Sequence, residues 1–164
     1  MSTDPSDVAP GDPDDVAAFA AKFRLDTLTL RTSRHWRLSL RPGQVTLGSM
    51  VISAAGPQSG AATAFGQLDA EAGSELVRIM GEAETIGRAL GAARMNFLAL
   101  MLQDPIVHLH VLPRYAAPVT FAGREWVDAD WPRPAALAPQ ELGEGELLAL
   151  HADLMTLVAG VLPG

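Results

Sequence analysis

Residues 106 to 112, IVHLHVL, constrain this chain more than any other stretch. In an extended segment alternate side chains share a side. Ile106, His108, His110 and Leu112 then occupy one face, and Val107, Leu109 and Val111 the other. The second face is wholly apolar and must meet a core. The first must look onto a cleft, a ligand or a partner, because two imidazoles do not belong in a plain apolar layer. Only four histidines occur in 164 residues, so this pairing organises whatever fold surrounds it.

Around that segment the hydrophobic period changes several times. LDTLTLRT, HWRLSLR and LGSMVIS read as three strands, the first from Leu25. Residues 54 to 66 are small and flexible and read as a loop. Asp69 can cap a long helix whose Leu76, Ile79, Met80, Ala83, Ile86 and Leu90 recur at helical spacing, with Gly91 to end it. RMNFLALML reads as a strand buried on both faces, and IVHLHVL as a fifth strand stopped by Pro113. A short helix capped by Asp14 or Asp15 runs to Phe23. A last helix spans about 139 to 162, with Leu142, Leu147, Leu150, Leu154, Leu157 and Val161 as its apolar face. The expected organisation is α+β: a disordered acidic tail over 1–13, one domain over 14–136, and a C-terminal helix in 137–164 packed on the domain or on a dimer.

Composition narrows the function. The net charge of -7 argues against a nucleic-acid polymer as partner, though not against a small phosphorylated ligand. The absence of cysteine excludes disulfides and thiolate metal sites. No apolar run has membrane-spanning length and the N-terminus is not a signal peptide, so a cytoplasmic protein is expected.

The histidine pair admits four chemistries. It can be a satisfied structural pair. It can hold part of a metal site, but the Glu of the cupin-type H-x-H pattern is replaced here by Pro113, Arg114 and Tyr115, and His35 and His151 lie far off in sequence. It can be a nucleophile with a helper, attacking phosphorus. It can bind a nucleotide without chemistry. Of the other residues, His35 reads as surface, His151 as solvated, and Trp36, Trp126 and Trp131 as packing groups.

IVHLHVLPR resembles the H-φ-H-φ-H-φ-φ signature of the histidine triad family of nucleotide hydrolases and transferases, with Ile106 in place of the first histidine. RMNFLAL, LRPGQVTLGSMVIS, the helix after Asp69 and PVTFAGREWVDADW resemble the matching stretches of that family, over about residues 25 to 133. The resemblance implies a HIT-like α+β fold, an antiparallel sheet of about five strands with one long helix, usually as a homodimer with a continuous sheet. It implies that His108 is the nucleophile and that His110 contacts phosphate and the scissile oxygen. Asn96 and Gln103 match phosphate-binding positions. The backbone carbonyl of Ile106 holds the far ring nitrogen of His108. Arg41 stands where an acidic residue or Asn bonds the ribose; it faces phosphate or, by preference, solvent. Pro105 lacks the N–H that a phosphate loop uses there, and Asp104 adds negative charge. The implied ligand is a small-molecule nucleotide, with no cofactor, no metal and no membrane. The implied activity is hydrolysis at the α-phosphate of a dinucleoside polyphosphate or nucleoside phosphoramidate, or nucleotide binding alone.

Overall fold

The computed structural model describes residues 8–164. Five strands, β1 (Thr29–Thr32), β2 (Trp36–Leu40), β3 (Met50–Ala54), β4 (Arg94–Leu98) and β5 (His108–Arg114), form one antiparallel sheet in the order β1-β2-β3-β5-β4. A hairpin of β6 (Val119–Phe121) and β7 (Arg124–Trp126) stands apart from it. The helices are α1 (Pro13–Lys22), the single turns α2 (Leu25–Leu28) and α3 (Gly56–Ser59), the long α4 (Ala70–Ala89) and α5 (Glu144–Val161).

The sheet is covered on both sides. On one, Leu38, Met50, Ile52, Val107, Leu109 and Val111 meet Ile79, Ala83 and Ile86 of α4 and Leu147, Leu150, Leu154 and Val158 of α5 in one continuous core. The C-terminal helix thus packs into the main core of its own chain. Its stripe ends on Val158 rather than the expected Val161, which is exposed. Trp36 is fully buried, and its indole N–H donates to the Ala72 carbonyl at 2.7 Å, fixing β2 against the start of α4. On the other side, Phe19 of α1 and Phe23, the residue that caps its C-terminal end, pack with Leu25, Val51 and Ile106.

The helix expected after Asp69 forms as its sequence dictates. The Asp69 side chain accepts from the Ala72 N–H at 2.8 Å, and Gly91 takes φ +90° just beyond the end, a conformation open to glycine without strain. Other expectations need correction. Leu25–Leu28 is a helical turn, not the start of a strand: Arg24 enters the left-handed region at φ 51° and turns the chain, so Leu25 and Leu28, three apart, both point inward. The first helix is capped by Asp12, whose carboxylate accepts from Asp15 N–H, with Pro13 in the first position. β5 begins at His108 and continues through Pro113 to Arg114; Pro113 sits opposite Met95, and its carbonyl accepts from the Thr46 hydroxyl at 2.6 Å. β4 is an edge strand whose Met95, Asn96, Phe97 and Leu98 are only half-buried. Of the tail expected over 1–13, residues 1–7 lie outside the described residues. The rest is tied down: Gly11 N–H donates to the Ala61 carbonyl, and Thr63 and Gln67 donate to the carbonyls of Ala9 and Val8.

Candidate nucleotide site

Register places His108 opposite Ser53 and His110 opposite Val51, and Ser53 opposite Arg37. These side chains lie on the sheet face that α1 crosses. His108 is fully buried. The rings of Phe19 and Phe23 lie 5.1 and 5.9 Å from its own, centroid to centroid, and Phe23 lies 6.1 Å from His110.

Ring chemistry follows from the partners. His108 Nδ1 is 2.6 Å from the Ile106 carbonyl. A carbonyl only accepts, so Nδ1 carries the proton and Nε2 presents its lone pair. That lone pair faces His110 Nε2 at 3.3 Å. His110 is then the donor through Nε2–H, which leaves its Nδ1 as an acceptor; that atom is buried with no partner. Burial lowers the pKa of both imidazoles. For His110, burial and then the neighbouring His108 push it down to about 4. Both rings are neutral at pH 7.

This depression couples to stability with a definite sign. An unfolded histidine titrates near 6.5. Below that pH the unfolded chain takes up a proton that folded His110 refuses, so stability is whole above about 6.5 and declines as pH falls toward 4. At about 1.4 kcal/mol per pH unit, and discounted for the solvent that reaches the half-buried ring, the loss is on the order of 1–2 kcal/mol. Denaturant unfolding between pH 7 and 4.5 measures it, and His110→Gln flattens the slope in that window.

Three hollows open beside α1, and two of them reach the expected site residues. One, about 550 Å³, is lined by Lys22, Phe23, Arg41, Gln103, Asp104 and His110 among others. The second, about 310 Å³, lies toward Arg37, Ser53, Phe19 and Ile106. Arg37 Nε and Ser53 Oγ are, like His110 Nδ1, buried without a hydrogen-bond partner. Three orphaned polar atoms on one covered face are what a polar ligand would satisfy. Lys22 bonds Asp104 at 2.6 Å and ties the end of α1 to the loop before β5.

The expected site residues sort as follows. His108 and His110 come together, with the Ile106 carbonyl on His108 and the Ile106 side chain buried against α1. Arg41 and Gln103 share the larger hollow with His110. Arg41 is half-buried there and its pKa is lowered by burial. Asn96 stands opposite Leu112, and its amide oxygen accepts from Arg114 at 3.1 Å; it lines neither hollow. Arg114 is itself held by Asp128, through 2.7 and 3.2 Å bonds, with both side chains almost fully buried. Burial pushes the Asp128 carboxyl up, but Arg114 and the Tyr115 N–H outweigh it and hold it below the usual range. His35, expected at the surface, is buried, and His151, expected in solvent, is half-buried with Nε2 3.1 Å from the Thr29 carbonyl. The covering role of Phe19 and Phe23 was not visible in the sequence, though their four-residue spacing marked one apolar stripe.

No protein-family model and no curated protein matches the chain. Solved structures do. A hypothetical histidine triad nucleotide-binding protein from Sulfolobus tokodaii strain7 superposes with a TM-score of 0.60 at 12% identity, over 90% of this chain and 92% of that one. A histidine triad protein from Sinorhizobium meliloti 1021 gives 0.59 at 18% identity, over 83% and 93%. One from Marinobacter aquaeolei VT8 gives 0.54 at 21%, over 85% and 95%. Sheet order, helix placement and these superpositions agree, and the fold of this chain is that of the histidine triad (HIT) proteins.

Proposed function

We propose that the chain is a nucleotide hydrolase or transferase acting at the α-phosphate through His108. The observation that carries this reading is the fixed tautomer: the Ile106 carbonyl holds the His108 Nδ1–H, so Nε2 is a neutral nucleophile whose lone pair faces His110 Nε2–H until substrate takes that place. The Nε2–P bond forms as the bond to the leaving group breaks. A polyphosphate departs as the anion with the bonding pair, hydrogen-bonded by His110 Nε2–H; an amine departs neutral, from a phosphoramidate nitrogen that already carries a proton taken from solvent. Water then attacks the same phosphorus and gives up a proton to solvent, the P–N bond breaks with its electron pair returning to Nε2, and His108 returns to neutrality. Arg41, half-buried beside His110, supplies positive charge for the phosphate oxygens, and Gln103 a further polar contact. Dinucleoside polyphosphates and nucleoside phosphoramidates fit this chemistry. Incubation with adenosine 5′-phosphoramidate or diadenosine polyphosphate tests it: AMP release supports the reading, and its absence at high enzyme concentration overturns it.

The closed face sets a condition. Phe19 and Phe23 must withdraw from His108 before a phosphate reaches it, which would merge the two hollows into one nucleotide-length groove. Phe23→Leu is therefore expected to raise kcat/KM several-fold while costing about 1 kcal/mol of lost aromatic contact. Steady-state kinetics and chemical denaturation on the same variant check both signs.

A second reading rests on the same burial. The larger hollow reaches His110, Arg41 and Gln103 but not His108, which favours a nucleotide-binding protein without turnover. AMP binding by calorimetry with no product from either substrate would select it. We also propose a homodimer through the half-buried edge β4, since an uncovered edge strand is a template for pairing; sedimentation equilibrium reads the mass directly. Cytoplasmic residence is part of the same proposal; among the described residues no helix is long and apolar enough to cross a membrane.

A further inference from the structure

We propose that His35, Glu71 and Glu75 form a binding site for one first-row divalent cation, of which Zn²⁺ is the probe. The cluster lies on the opposite end of β2 from Arg41, and the chemistry at His108 makes no use of it. Glu71 and Glu75 sit four residues apart in the first turns of α4 and so share one helix face. His35 sits in the turn before β2, under that face. One ligand atom from each residue lies within 4.8 Å of the others.

The decisive group is His35. Its side chain is 1% exposed, yet Nε2 is buried without a hydrogen-bond partner. Nδ1 is 2.9 Å from the Ser59 hydroxyl, itself buried. That contact lets Nδ1–H donate to Ser59 and leaves the Nε2 lone pair turned outward, the orientation that a second partner imposes on a metal-binding imidazole. Nε2 faces Glu71 Oε2 across 3.7 Å. This is too long for a hydrogen bond. It is close to the separation of two ligand atoms each about 2.1 Å from one ion.

Glu75 is fixed as a carboxylate in this place. The Ser33 hydroxyl at 2.6 Å and the His35 backbone N–H at 3.0 Å both donate to its Oε2. Glu71 completes the set from solvent; Arg34 bonds its two oxygens at 3.1 and 3.2 Å and is exposed enough to move aside. A hollow of about 180 Å³, lined by Arg34, His35, Pro57 and Gln58, adjoins the cluster. It has room for water on the coordination positions that three protein ligands leave open. One imidazole with two carboxylates and no thiolate suits Zn²⁺, Mn²⁺ or Co²⁺ rather than a soft ion.

Titration of the purified full chain with Zn²⁺ by calorimetry, and with Co²⁺ by visible absorption, tests the site. The expected result is one ion per chain, with affinity reduced at least tenfold in Glu75→Gln and in His35→Ala and unchanged in His110→Ala. Because His35 is buried, Glu71→Gln, at an exposed position, gives an independent reading should His35→Ala fail to fold; it too must weaken binding at least tenfold. No saturable binding to the parent overturns the proposal. So does binding that survives Glu71→Gln and Glu75→Gln, or that vanishes in His110→Ala, which would place the ion on the histidine pair instead.

Discussion

Turnover of a nucleoside phosphoramidate or dinucleoside polyphosphate is expected to fall on the order of 10³-fold or more in His108→Ala, with circular dichroism unchanged. The size follows from role. His108 would make the bond to phosphorus, and alanine leaves no side chain at that position to make it. His110→Ala is expected to cost on the order of 10²-fold, because it removes a hydrogen bond to the departing atom but leaves the nucleophile. The tautomer assignment adds a sharper requirement. His108→Asn retains an amide near the Ile106 carbonyl but offers no ring lone pair, so it must be as inactive as alanine. Quenched-flow trapping of a labelled nucleotide on the parent, absent from both variants, is the direct measurement. A variant at His108 that keeps more than a tenth of parental turnover would remove the nucleophile from the proposal.

Arg114→Ala is expected to destabilise the fold by about 3–5 kcal/mol, the largest stability loss among single changes outside the apolar core. Arg114 and Asp128 are 4% and 2% exposed. The guanidinium bonds both Asp128 oxygens, the Arg133 carbonyl and the Asn96 amide. Truncation strands a buried carboxylate and leaves a carbonyl and an amide oxygen without their donor. It also releases the segment after β5, because Asp128 accepts from the Tyr115 N–H as well. Asp128→Asn placed on the Arg114→Ala background should recover part of the loss, since it removes the stranded charge. Urea unfolding of the four proteins of the cycle yields the coupling; additive losses would mean that the pair is not the unit described here.

Much of the fold was legible because it rests on local pattern. Asp69, the three-and-four spacing to Leu90 and Gly91 define α4 from sequence alone, and the alternation in β2 and β5 shows which residues face α4. What was hidden depends on distant partners. Leu28 and Leu30 alternate like a strand, but the left-handed Arg24 turns Leu25–Leu28 into a helical turn, and nothing local marks arginine for that conformation. RMNFLALML is apolar but for Arg94 and Asn96, so it reads as central, yet in one chain it forms the edge. His35, between Arg34 and Trp36, reads as surface; it is buried because Trp36 anchors the strand and the start of α4 closes over it. In the site, the pairing of His108 with His110 and the Ile106 carbonyl follow from strand geometry. The crossing of α1 does not, because Phe19 and Phe23 lie roughly ninety residues from the rings they cover.

That cover has a chemical consequence. An imidazole covered by a contacting pair of phenyl rings is shielded from electrophiles as well as from substrate. Diethyl pyrocarbonate should therefore modify His108 only during the moments when the first helix is away. The carbethoxylation rate of this one ring, relative to a free imidazole, becomes a gauge of how often the protein uncovers itself, and a nucleotide that holds the groove apart while leaving the ring bare would be seen as an acceleration.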